Sequence, residues 1–158
     1  MGRESSQPTT GPEAQAPIFR ERTSIVCVRD NRLLFVRYKE PETGKSFTGP
    51  PGGGVEPGED PARTGERETL EETGYVVRVR PETEFISEYI FNWIGRDYLC
   101  RTHWFAADLA DPAAEPAPVD DADYNHGTVW LPRTEIEAEL AYHPVIRDDV
   151  LKVLANSF

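Results

Sequence analysis

GGGVEPGEDPARTGERETLEETGY, running from Gly52 to Tyr75, is the stretch that decides how the rest of the chain folds. Glycines and the turn-forming pair Pro57-Gly58 open it, and a densely charged segment follows. Asp60 is a good N-cap and Pro61 a good first helical residue, so the spacing predicts a helix that begins there. Gly74 supplies a left-handed residue to stop it. On that helix Glu68 precedes Glu71 and Glu72 by three and four residues, which puts these carboxylates on one face. Like charges at this spacing repel by roughly a few tenths of a kcal/mol per pair. Hard divalent cations such as Mg²⁺ seek an oxygen cluster of this kind. The helix also has little with which to build a core. Ala62 and Leu70 are its clear apolar residues, and Gly65 in its interior costs ~1 kcal/mol relative to alanine. The segment is built for a site.

From Gly53 the spacing is glycine, five residues, Glu59, seven residues, Arg67-Glu68, then Thr69, Leu70, Glu71-Glu72, Thr73, Gly74, Tyr75. This resembles the complete Nudix box. The resemblance implies an α/β fold, the Nudix-type α/β/α sandwich with a mixed central sheet, in which the box forms a loop–helix–loop. It implies a metal site made by the backbone carbonyl of Gly52 with Glu68 and Glu72, and Glu71 as an additional ligand. Arg67 matches an arginine that orients these carboxylates, and Glu59 matches a mainly structural position. The implied cofactor is Mg²⁺, with Mn²⁺ as a substitute. The implied chemistry is hydrolysis of the diphosphate bridge in a nucleoside diphosphate linked to another moiety: a nucleoside triphosphate, ADP-ribose or another sugar nucleotide, or a dinucleoside polyphosphate. Glu68, Glu71 or an acid from a late loop would take the proton from water. The box departs from the family at Thr69, where an aliphatic residue is usual, and at Thr64-Gly65, which replaces the commoner alanines. A Nudix-like module that senses a nucleotide without cleaving it is the alternative. Such modules typically lose box glutamates, and this chain keeps them all.

The remaining composition limits the partners. Seventeen basic against 28 acidic residues give a net charge of −11. That balance opposes non-specific binding to nucleic acid or to an anionic membrane, since both require a positive field. A small phosphate ester is still admissible if a metal inverts the local charge. Cys27 and Cys100 lie in apolar runs, match no metal spacing, and are expected as buried free thiols. With no apolar run near ~20 residues and no signal peptide, a cytoplasmic protein is expected. The sequence leaves a homodimer open.

Along the chain, residues 1–17 are polar and rich in Pro, Gly, Ser and Thr, and a flexible tail is expected before a domain over 18–158. Thr23 to Val28 and Leu33 to Tyr38 form strands around the turn Arg29-Asp30-Asn31-Arg32. Arg37, at the end of the second strand, is a candidate for contacting substrate phosphate by the same resemblance; a solvated strand-end charge explains it equally well. Gly44-Lys45-Ser46 suggests the tail of a P-loop, but Lys39 stands where the first glycine is required. Phe47 leads a short strand into the box. Strands follow at Val76 to Arg80, Glu84 to Ile94 and Tyr98 to Asp108, with a hairpin signal at Gly95-Arg96-Asp97.

Tyr89, Phe91 and Trp93 alternate along one sheet face, as core or as a stacking surface for a nucleobase. His103 fits a strand histidine better than a ligand. Leu109 to Asn125 is a long acidic loop, and loops of that length are functional or disordered. A calcium loop there fails, because His126 replaces the needed glycine and Pro132 the final glutamate. Glu115, Asp120, Asp121 and Asp123 compete for the role of late-loop acid. A strand from Thr128 to Leu131, a capping-box pattern at Thr134 to Glu137 and a last helix opened by Pro144 complete the chain.

Overall fold

The computed structural model describes residues 15–158, so the expected tail at 1–17 lies almost wholly outside the described residues. In order come β1 (Ile18–Arg29), β2 (Arg32–Lys39), β3 (Ser46–Gly49), β4 (Gly52–Gly54), α1 (Pro61–Thr73) and β5 (Val77–Val79). They are followed by β6 (Phe85–Trp93), β7 (Arg96–Leu109), β8 (Asn125–Pro132), α2 (Ile136–Glu139) and α3 (Pro144–Ser157). β1 and β7 pair in parallel, with Ile25 beside Phe105. The other pairings are antiparallel, which makes the sheet mixed, as expected.

Strands buried on both faces need apolar side chains at successive positions, and β1 has them. Ile25 and Cys27 join Leu34, Phe105 and Ala107 in a cluster with Ala62 and Tyr75. Val26 points the other way, into a cluster of Leu33, Phe35, Trp104 and Ala106 with Ile136, Val150 and Leu154. The sheet is thus covered by α1 on one face and by α2 and α3 on the other. Cys27 and Cys100 are free and buried, and burial pushes the Cys27 thiol up to about 12. Among the described residues no helix is long and apolar enough to cross a membrane.

α1 starts and stops where the sequence says. The Asp60 side chain accepts from the Ala62 N–H at 3.3 Å, and Gly74, at φ 78°, donates its N–H to the Leu70 carbonyl. Its packing face corrects the expectation, because Leu70 is 43% exposed. The buried stripe runs instead through Ala62, Gly65, Thr69 and Thr73, which follow helical spacing. A Cβ on Gly65 would stand 2.5 Å from Ile25 Cδ1, so the glycine lets the helix seat against β1. Thr69 is fully buried, and its hydroxyl finds no partner among the described residues.

Two local expectations shift. The β6–β7 turn is made by Ile94 and Gly95, at φ 48° and 72°, with Trp93 opposite Arg96. A β-branched residue there costs roughly 1–2 kcal/mol, which the long ladder overrides. No capping box forms at Thr134, because the chain enters α2 through a 3₁₀ turn at Arg133–Glu135 and Thr134 lies inside it. α3 buries Ile146, Val150 and Leu154 as its spacing predicts.

Candidate active site

The site begins where β4 pairs with β1, Gly53 opposite Thr23 and Gly52 opposite Ser24. A Cβ on Gly52 would overlap the Thr23 carbonyl, and one on Gly53 would overlap the Glu68 carboxyl group. Glycine at 52 therefore lets the β4 backbone lie against that of β1, and glycine at 53 leaves the Glu68 carboxyl group its place. Glu72 is buried, and its Oε1 accepts the Gly52 N–H at 2.9 Å. The Tyr38 hydroxyl donates to its Oε2 at 3.4 Å. Burial, opposed by the Gly52 bond and reinforced by the Glu68 charge, pushes the Glu72 carboxyl up to about 8. Glu68 is raised too, first by burial and then by the Glu71 charge.

Arg67 binds the carboxylates around it. Its Nε and Nη2 donate to Glu59, both at 3.1 Å, while Nη1 donates to Glu68 Oε2 at 3.0 Å and Glu71 Oε1 at 3.3 Å. Glu59 also accepts the Glu56 N–H at 3.1 Å, tying the loop to the helix. The Arg67 bond holds the Glu59 carboxyl down at about 2. Glu68 and Glu72 thus line one cavity with Gly52, whereas Glu71 is exposed and turned toward Arg67. Among the described residues no three His, Cys, Asp or Glu side chains gather closely enough to hold an ion by themselves. A buried carboxylate without a cation bonded to it, beside a second carboxylate and against bare backbone, is nonetheless a hard-oxygen donor set that suits a divalent cation.

The cavity has a volume of about 460 Å³ and an aromatic wall that includes Tyr38, Phe47, Phe91, Trp93, Tyr124 and Tyr142. Phe47 is central to it, with ring centres 5.6 Å from Phe91, 6.1 Å from Trp93 and 5.3 Å from Tyr142. The predicted row on β6 therefore divides: Tyr89 is buried, and Phe91 and Trp93 are half-buried against open space. Arg20 and Arg22 supply cations to the same cavity. The sequence reading missed both, although they alternate with Ser24 along β1 and period two puts all three on one face.

Arg37 lies elsewhere. It is exposed and lines a second, open concavity with Lys39, Lys45 and His126. Of the late-loop acids, Asp121 approaches the site: Asn125 Nδ2 donates both to Asp121 Oδ2 at 2.9 Å and to the Glu72 carbonyl at 3.0 Å. The part of the loop around Glu115 folds back on the helix end, where the Ala117 N–H meets the Gly74 carbonyl at 2.9 Å. His103 is a strand histidine held between Glu84, at 2.6 Å from Nδ1, and Glu21 at Nε2.

A family model described as NUDIX domain matches residues 19–153. Among solved structures, a NUDIX hydrolase from Nitrosomonas europaea is similar at 24% identity and TM-score 0.63, over 89% of this chain and 90% of that one. A MutT protein from Methanosarcina mazei Go1 is similar at 18% identity and TM-score 0.64, over 91% and 99%. An Ap4A hydrolase from C. elegans, solved as a binary complex, is similar at 18% identity and TM-score 0.60, over 86% and 98%. At these identities the likeness concerns the fold. No curated protein sequence matches the chain.

Proposed function

The chain belongs to the NUDIX domain family, and we propose that it acts as a divalent-cation-dependent pyrophosphohydrolase on a nucleoside diphosphate linked to another moiety. The observation that carries this is the placement of Glu68 and Glu72 at one end of a cavity whose other walls are aromatic rings and two arginines. Such a pocket has a place for phosphates and a place for a flat base.

Gly52, through its carbonyl, with Glu68 and Glu72 would hold Mg²⁺ or Mn²⁺, and Glu71 would be the additional donor. When bound, the cation would neutralise phosphate oxygens and make a water molecule more acidic. Arg67 fixes Glu68 by a charge-assisted bond and so restricts its carboxylate to one orientation. Glu68, which lines the cavity and is raised by burial, would accept the proton of the attacking water. Asp121, joined to the Glu72 backbone through Asn125, is the acid that the late loop contributes. Arg22 faces the same cavity and is placed to bind the phosphates that the carboxylates repel.

A panel of nucleoside triphosphates, sugar nucleotides and dinucleoside polyphosphates, incubated with Mg²⁺ or Mn²⁺ and resolved by chromatography, tests this. Mononucleotide products that require the cation are expected. Tight nucleotide binding by calorimetry with no product after long incubation would instead show a sensing module.

A further inference from the structure

We propose that the open concavity of about 550 Å³ framed by Arg37, Lys39, Lys45 and His126 is a second anion site, which holds a polyphosphate chain. The strand register builds it. Arg37 pairs with Thr48 and Lys39 with Ser46, so the two cations share one face of the β2–β3 ribbon. Tyr38 and Phe47 pair between them and line the carboxylate cavity. Lys45 enters from the loop before β3, and His126 follows Asn125, the residue bonded to the Glu72 carbonyl.

Charge points to the ligand. The protein carries a net −11, yet Arg37, Lys39 and Lys45 form no ion pair among the described residues. Glu139 is the carboxylate that lines the concavity, and it accepts a bond from the Thr48 hydroxyl at 3.3 Å. Three basic side chains against one carboxylate leave a positive field that concentrates anions. A row of cations spaced along a strand suits a ligand with repeated charges, and the arginine fork suits phosphate oxygens in particular. Tyr38, Phe47 and Tyr142 line both this concavity and the carboxylate cavity, so the two meet at a shared aromatic rim. A phosphate chain can reach the concavity as the distal end of a bound substrate, which rests on the hydrolase reading above, or as free polyphosphate.

Calorimetry with inorganic tripolyphosphate in EDTA tests the site without turnover, on wild type and on the double variant Lys39→Glu/Lys45→Glu. Both lysines are exposed, so the variant's melting curve should match wild type. The expected result is at least a ~10-fold loss of affinity, the scale for losing charge-assisted contacts. Equal affinity in the two proteins overturns the proposal. So does capture of RNA or anionic vesicles by wild type that tripolyphosphate fails to displace. The source is separated kinetically: a KM raised at least ~10-fold for a dinucleoside tetraphosphate, with ADP-ribose unchanged, identifies the substrate's distal end. An unchanged KM for both, with weakened tripolyphosphate binding, identifies free polyphosphate. Absence of turnover on any nucleotide would remove the hydrolase reading and leave the binding result standing.

Discussion

The two ends of the main cavity are built in opposite ways. The carboxylate end comes from one continuous stretch, Gly52 to Glu72, in which turn, cap and helical spacing place each group relative to the next. The aromatic end draws Tyr38 from β2, Phe47 from β3, Phe91 and Trp93 from β6, Tyr124 from the loop before β8 and Tyr142 from the segment after α2. Chemistry common to many phosphoanhydrides can sit in a local motif, because every substrate presents the same bond. In the proposed function, discrimination among substrates falls to residues that only the tertiary fold brings together.

The sharpest way to break this comparison is Glu72→Gln, which keeps the shape of the buried side chain and removes its charge. A loss of at least ~10²-fold in kcat is expected, the scale for one strong transition-state interaction. Unchanged turnover at saturating Mg²⁺ would take Glu72 out of the chemistry. At the other end, Trp93→Ala should raise KM about 10-fold while kcat stays within about twofold, since stacking on one ring contributes ~1–3 kcal/mol to binding a base. If Trp93→Ala lowers kcat as far as Glu72→Gln does, the division of labour between the two ends is wrong.

The same contrast explains what could be read in advance. Asp60, Pro61 and Gly74 announced α1 because capping is decided within a few residues. Apolar runs bounded by turn residues announced the strands, with alternation read along β6, and the turns at Asp30-Asn31 and Gly95 lay close to their signals. The buried stripe of α1 was not legible, because Thr69 and Gly65 look polar or weak while Leu70 looks apolar. Their fates depend on how closely β1 approaches. Nor could Arg37 be separated from Arg22 as a cavity residue, because both are strand arginines with a basic residue two positions away, Lys39 and Arg20. Only the stacking order of β1, β2 and β3 assigns them to different openings.

Gly65→Ala sharpens the packing half of that lesson. On an exposed helix the change would add ~1 kcal/mol of stability. Here the new methyl meets Ile25 Cδ1 in the sealed face between α1 and β1, and overpacking costs ~1–3 kcal/mol. A net loss of about 1 kcal/mol in denaturant unfolding is expected, with Ile25→Val in the same chain recovering part of it. A gain in stability would mean that the helix can move off the sheet at little cost.

The pH dependence of stability distinguishes two carboxylates of the same box that their surroundings push in opposite directions. Glu59 is held at about 2, below the ordinary 4.5, by Arg67. Its contribution to stability is therefore full above pH 4.5 and disappears as the pH falls toward 2. Glu72 is raised from 4.5 to about 8 by burial, so the folded state favours its protonated form. That preference is complete below pH 4.5 and is lost as the pH rises through 8, which makes the metal-free protein less stable across neutral pH. Melting temperatures in EDTA should accordingly fall on both sides, with Glu59→Gln flattening the acid limb and Glu72→Gln the neutral one. Mg²⁺ should raise the wild-type curve most at the alkaline end, where the Glu72 proton need not be displaced. A neutral limb that survives in Glu72→Gln would place the titrating group elsewhere, and the box would then hold its two carboxylates in environments less different than their contacts imply.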